Sequence, residues 1–195
     1  MFIRQFQIEG LGHLSTLIGD EEAGLAAVVD PRRDIDIYVD AARESGLRIS
    51  HVIETHLHND YVSGGRELAA ATGAEQVIGA GAGLAYEHRP VQDGEIATVG
   101  GLKFRVLDTP GHTPGHHSLL VNLKEKGPVI LSGDMAHFHE NYDANGVPGF
   151  NFDRAQTLAS LERIRKIAAN LKATVIIQHD VRDIGKLPAF PAAAR

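Results

Sequence analysis

Apolar residues along the chain come in short runs, most of them closed by glycine, proline or aspartate. Residues 2–8 and 14–18 alternate or run apolar with Gly10 and Gly12 between them, which predicts a hairpin. Residues 25–29 form a third short buried strand that Asp30-Pro31 ends, since proline lacks a donor and restrains the residue before it. Asp34 is placed to cap a helix reaching Ser45, with Ile35, Val39 and Ala42 on one face and Gly46 as its stop. A strand over 51–54 follows. A second helix begins at Ser63 and carries Glu67, Leu68 and Ala71 before Gly73. The glycine-rich residues 79–83 lack the lysine of a phosphate-cradling loop and read as a turn. Two hairpins come next, 96–99 with 102–107 across Gly100-Gly101, and 119–123 with 129–131 across a charged turn. Residues 135–152 show no clean period and read as a loop with turns at Asn145-Gly146 and Pro148-Gly149. Asp153 caps the longest helix, 155–170, whose Leu158, Leu161, Ile164 and Ile167 make a core stripe. A last strand, 174–177, leads into Gln178-His179-Asp180, and a short alanine-rich tail follows Lys186. Strands alternating with helices predict helices packed on sheet, in one domain over residues 1–195.

Composition narrows the chemistry. The chain is 43% apolar and 23% charged with a formal charge of −6, and no basic cluster suggests a nucleic-acid partner. No apolar run approaches the roughly 18 residues of a membrane span, and no signal pattern opens the chain, so a cytoplasmic protein acting on a small molecule is expected. There is no cysteine, which excludes disulfides, thiolate metal sites and a cysteine nucleophile. Metal chemistry therefore falls to the eleven histidines and the carboxylates.

These cluster at strand ends. His56, His58 and Asp60 alternate directly after the apolar residues 51–53, so on an extended strand end they project the same way, as two imidazoles and a carboxylate suited to a divalent metal. His112 lies in Asp108-Thr109-Pro110-Gly111-His112-Thr113-Pro114-Gly115-His116, where prolines and glycines stiffen the turn. Asp134 follows a strand in Ser132-Gly133-Asp134, and His179 follows the final strand. A lone histidine of this kind is more readily a hydrogen-bonded structural residue than a ligand. Ligand-type residues at four strand ends point to a metal centre.

The series His-x-His-x-Asp, Pro-Gly-His-Thr, Ser-Gly-Asp and a late His resembles the metallo-β-lactamase superfamily over nearly the whole chain. The resemblance implies an α/β fold, an αββα sandwich with a metal site at one sheet edge. It implies His56, His58 and His112 at a first metal position, Asp60 and His179 at a second, and Asp134 bridging. One or two divalent ions are implied, zinc first, with iron, manganese or cobalt accepted. Members of this kind often form homodimers, though no stripe in the chain marks an interface. Where the hydrolases usually carry a histidine after the Asp of the first motif, this chain has Tyr61, which removes a ligand from the second position.

The two halves resemble different branches. Residues 1–110, with Asp30-Pro31-Arg32, the stretch from Glu54 to Gly65 and Glu87-His88-Arg89-Pro90, look like the persulfide dioxygenases and their rhodanese-fused relatives. That branch implies one iron(II) held by His56, His112 and Asp134 and acting on glutathione persulfide, with His58 and Asp60 outside the ligand set. From His112 onward the chain looks like the N-acyl homoserine lactonases. The Gly-Arg-Thr-Asp segment that dioxygenases carry after the bridging Asp is missing, and where many lactonases have Tyr three residues past that Asp, His137 stands. Natural divergence or a constructed chimera would both produce such a split. Because specificity resides in the loops around the metal, the second half is given the greater weight. The expected function is ring opening of a lactone or similar ester by a metal-bound hydroxide. Asp60 orients or shuttles the proton, and His137 or Tyr142 stabilises the oxyanion or leaving alkoxide. Alternatives are the dioxygenase and a metal-binding scaffold of low activity. At least one of His116 and His117 is expected to point at the core or to stand behind the ligands, neither is given a catalytic role, and Tyr61 is expected to pack beneath the site.

Overall fold

Strands that read as unbroken apolar runs are those covered on both faces, and here two stacked sheets carry helices on their outer faces. The computed structural model describes residues 1–7 and 12–187; Ile8 and Gly10 of the expected hairpin, and the tail beyond 187, lie outside the described residues. The first sheet runs β1 (Phe2–Gln7), β2 (Leu14–Asp20), β3 (Leu25–Val29), β4 (Arg48–Glu54), β5 (Glu75–Gly79) and β6 (Arg89–Val91), antiparallel as far as β3 and parallel from there. The second has the order β11-β10-β9-β8-β7, from β7 (Ile96–Val99), β8 (Leu102–Asp108), β9 (His117–Leu123), β10 (Gly127–Leu131) and β11 (Thr174–Ile176), with β11 parallel to β10.

Alternation along each strand sorts its side chains between layers. Ala27 and Val29 of β3 and Ile53 of β4 face Phe104, Val106, Leu119 and Val129 across the central core. Their neighbours Val28 and Val52 turn outward to Tyr38 of α1 (Asp36–Glu44) and Leu68 of α2 (Gly65–Thr72). On the other side Leu107 and Ile130 meet Leu161 and Ile164 of the long helix, which is α4 once α3 (His139–Ala144) is counted and spans Arg154–Leu171. The result is the expected αββα sandwich. No helix among the described residues is long and apolar enough to cross a membrane.

Local chemistry explains where boundaries differ from expectation. Asp34 does not cap α1; its carboxylate takes the Arg32 guanidinium at 3.0 Å, and Ile35 occupies the cap position with no side-chain bond. Helix α2 starts two residues after Ser63, whose hydroxyl accepts from the Gly65 amide at 2.9 Å and donates to Glu54. Within residues 135–152 a short helix, α3, forms and ends at Asn145 in the left-handed region. Asp153 does cap α4, accepting from the Gln156 amide at 3.0 Å. Strands β5 and β6 were not anticipated.

Candidate metal centre

The chain turns inward just past β4, β8, β10 and β11, so both sheets deliver side chains to one edge of the sandwich. Beyond β4 the turn is fixed by Asp30, itself in the left-handed region with φ 50°. The Thr55 amide and hydroxyl each donate to the Asp30 carboxylate at 2.7 Å, which places His56. His112 is held in a turn whose Gly111 and His112 carbonyls accept from the Asp153 and Phe152 amides at 2.9 and 3.1 Å. Asp134 follows Gly133, whose φ of 55° and whose distance of 2.8 Å from an added Cβ to His116 Nε2 require glycine there.

Each first-position imidazole has one ring nitrogen braced and the other bare. His56 Nδ1 meets Thr55 Oγ1 at 3.0 Å, His58 Nε2 donates toward Glu54 and Asp30 at 3.0 and 3.1 Å, and His112 Nδ1 lies 3.4 Å from Asn151 Oδ1. The opposite nitrogens, His56 Nε2, His58 Nδ1 and His112 Nε2, are buried and make no hydrogen bond among the described residues. A buried imidazole nitrogen without a partner is costly, and a braced ring presenting a lone pair is how histidine binds metal. The donor set therefore fits a divalent cation. His56, His112 and Asp134 form one group whose ligand atoms lie within 4.8 Å of one another, and so do His56, His58 and Asp60.

Asp134 is the hub. Its Oδ2 lies 3.6 Å from His112 Nε2 and 3.7 Å from His56 Nε2, while its Oδ1 lies 3.1 Å from His179 Nε2. His179 Nε2 is in turn 3.6 Å from Asp60 Oδ2. All six residues expected as ligands are thus brought together, although residues 55–60 bend rather than extend. Burial would raise the Asp134 carboxyl, but His56, His137 and His179 hold it well below the usual carboxylate range. Burial pushes His56 well down and lowers His112. Burial also works to lower His58, yet Asp30 and Glu54 outweigh it and raise that ring well above its ordinary value. The ionised Asp134 beside the neutral rings of His56 and His112 is the state a cation binds, and His58 would give up its Nδ1 proton to join them.

Other expected residues separate. His137 joins the cluster, its Nε2 3.3 Å from Asp134 Oδ2. Tyr142 does not; its ring packs with the Leu161 and Ile164 cluster under α4, because α3 turns that face toward the long helix. Tyr61 packs beneath the site, ring centroids 4.0 Å from His13 and 4.4 Å from His58, and its hydroxyl donates to the Asp30 carbonyl at 3.3 Å. His116 and His117 are buried, and burial lowers them to about 3 and about 4. His139, two residues past His137, turns away to Asp183 at 2.7 Å. Asp30 and Glu54 escaped sequence reasoning; the available signal was a carboxylate ending a buried apolar strand. A cavity of about 300 Å³ adjoins the cluster, lined by His56, His58, Tyr61, Arg66 and Tyr86 among others.

Comparison with known proteins agrees with this geometry. The metallo-beta-lactamase superfamily model matches residues 8–179. An N-acyl homoserine lactonase from a Bacillus species is 31% identical over 72% of this chain and 60% of its own length. A hydroxyacylglutathione hydrolase from Methylococcus capsulatus is 34% identical over 80% of this chain and 58% of its own. The crystal structure of ETHE1 from Myxococcus xanthus superposes with a TM-score of 0.72 at 30% identity, covering 84% of this chain and 69% of that one. The chain thus spans about 60% of the length of the lactonase it matches. With its fold, its motif order and its converging histidines and carboxylates, the chain belongs to the metallo-beta-lactamase superfamily.

Proposed function

We propose that the chain is a dinuclear metallohydrolase that opens a lactone or related ester, with N-acyl homoserine lactones as the first substrates to test. The observation that carries this reading is a second ligand group beyond the first, in which Asp134, His137 and His179 offer atoms within 4.8 Å of one another. The lactonase relative, 31% identical, supports the substrate class. His56, His58 and His112 would hold the first ion, Asp60 and His179 would serve the second, and Asp134 is placed to serve both. Imidazole and carboxylate donors suit zinc first, and iron, manganese or cobalt according to supply. When bound, divalent ions supply a hydroxide nucleophile near neutral pH and polarise the scissile carbonyl.

The protein's own contribution is positional. Asp60, the most exposed carboxylate of the cluster at 31%, is placed to orient the nucleophile's proton and hand it to the leaving alkoxide. Asp30 and Glu54 keep the His58 Nε2 proton, which leaves Nδ1 as its only donor atom for a cation. Tyr142 lies too far into the helix layer for the oxyanion role.

One observation favours a second reading. The fully buried trio His56, His112 and Asp134 is a two-histidine, one-carboxylate set, and the His58 ring is tied back by two carboxylates. That set suits a mononuclear iron(II) dioxygenase acting on glutathione persulfide. Elemental analysis of protein purified without added metal, run beside lactone opening and persulfide-dependent oxygen uptake, separates the two. About two zinc-like ions with lactone opening supports the hydrolase. One iron with oxygen uptake overturns it, and bound metal without either turnover leaves a scaffold.

A further inference from the structure

We propose that His137 is a ligand of the second metal position, taking the place of the histidine that Tyr61 displaces; the inference rests on the dinuclear reading above. Position 61 cannot serve, because its ring is packed against His13 and His58 and its hydroxyl is engaged by the Asp30 carbonyl. Without another donor the second position has one imidazole, His179, and the carboxylates of Asp60 and Asp134. His137 supplies the missing imidazole from a different part of the chain, three residues past Asp134.

Its geometry is that of a ligand. Nε2 stands 3.3 Å from Asp134 Oδ2, and the ring lies beside that of His179 with centroids 5.1 Å apart and planes 28° from parallel. The side chain is only 13% exposed, with Phe150 edge-on at 5.3 Å. The backbone that carries it is fixed on both sides. Met135 and Ala136 are buried, and the His139 amide donates at 2.9 Å to Asp180, the neighbour of His179. The loops bearing the two imidazoles are therefore tied together.

A simple hydrogen bond from His137 to Asp134 does not account for the arrangement. Four imidazole nitrogens surround that one carboxylate at 3.1, 3.3, 3.6 and 3.7 Å, and the longer two lie beyond hydrogen-bond range. Such spacing is that of groups arranged around cations. His137 Nδ1 is buried and makes no hydrogen bond among the described residues, so the proton that Nε2 directs at Asp134 can shift to Nδ1 and leave the Nε2 lone pair for a cation.

The test is cobalt(II) titration of metal-stripped protein, followed by calorimetry and visible absorption, for the wild type, His137→Ala and His137→Asn. The wild type is expected to take two equivalents. Both variants should take the first with unchanged affinity and bind the second about 100-fold more weakly or worse, since even outer-shell losses cost 10–100-fold. Asparagine keeps a donor to Asp134 while ligating poorly, so a second equivalent retained in His137→Asn but lost in His137→Ala would reduce His137 to a hydrogen-bonding role and overturn the proposal. Two undiminished equivalents in both variants would overturn it and leave the dinuclear reading intact. A wild type that takes only one ion overturns both. Matching melting temperatures of the metal-free proteins, with the unchanged first equivalent, verify that the variants fold.

Discussion

In the proposed dinuclear centre the two positions would share Asp134, yet their donors are built in different ways. The first is set into the core: His56, His58 and His112 have side chains at most 2% exposed, and their outer nitrogens reach Thr55, Asp30, Glu54 and Asn151. The second is assembled at the rim, from Asp60 at 31%, His137 at 13% and His179 at 10% exposure. Buried, braced donors are held in place before any cation arrives, whereas rim donors are ordered at some entropic cost when it does. The expected consequence is a tight first site and a weaker second one, with sequence change tolerated mainly at the second.

Removing the shared element tests the comparison most severely. Asp134→Ala is expected to release both ions on gel filtration and to lower turnover about 1,000-fold, the scale on which loss of a central electrostatic group acts. Full metal retention by this variant would deny Asp134 its bridging place. Asp30→Asn separates the positions: the His58 ring loses one of its carboxylate braces, so the first equivalent should weaken about 10–100-fold while the second keeps its affinity. Equal weakening of both in a calorimetric titration would show that the positions do not act apart.

Acid offers a third lever, on stability. His13, His116 and His117, which burial lowers to about 4, 3 and 4, lie around the first position. The unfolded chain takes up these protons near pH 6.5 and the folded chain does not, so their contribution is lost as pH falls from about 6.5 toward 4. His58, raised, acts with the opposite sign and loses its contribution as pH rises. Because His58 gives up its contribution only above pH 6.5, the three lowered rings act unopposed below it, and the unfolding free energy of metal-free protein from urea titration should fall between pH 6.5 and 4 by about 1.4 kcal/mol per pH unit for each ring that stays neutral. A flat profile would mean the rings are hydrated. The smallest effect is expected from Asp153→Ala, about 1 kcal/mol of stability from the lost cap of α4. Metal content should not change, because the Asp153 amide still holds the Gly111 carbonyl beside His112.

What could be read in advance follows the same division. The residues proposed for the first position stand in short motifs at the ends of apolar runs, so His56, His58, His112 and Asp134 are legible from motif and turn chemistry, although the alternation expected of residues 56–60 gives way to a bend. The sandwich itself was legible from runs such as 25–29, whose neighbours must all be covered. The placement of His137 was not, since its burial depends on Asp180 reaching back to His139 and on Met135 and Ala136 entering the core. Strands β5 and β6 escaped for a related reason. Glu75–Gly79 runs into a glycine-rich turn, and Arg89–Val91 is three residues with a proline that pairs only because β5 is already laid down. Asp34 illustrates competition: a neighbouring guanidinium outbid the helix amides for its carboxylate.

The meeting of both sheets at one edge bears on mechanical cohesion. His56, His58 and Asp60 leave the first sheet, and His112, Asp134 and His179 leave the second, so an ion bound among them as proposed would fasten two separately hydrogen-bonded layers. In a chain with no cysteine, that fastening does what a disulfide does in secreted folds: it closes long loops and restricts the unfolded ensemble. Unlike a disulfide, it can be opened by a chelator and reset by adding metal, so the grip between the layers follows the supply of the ion.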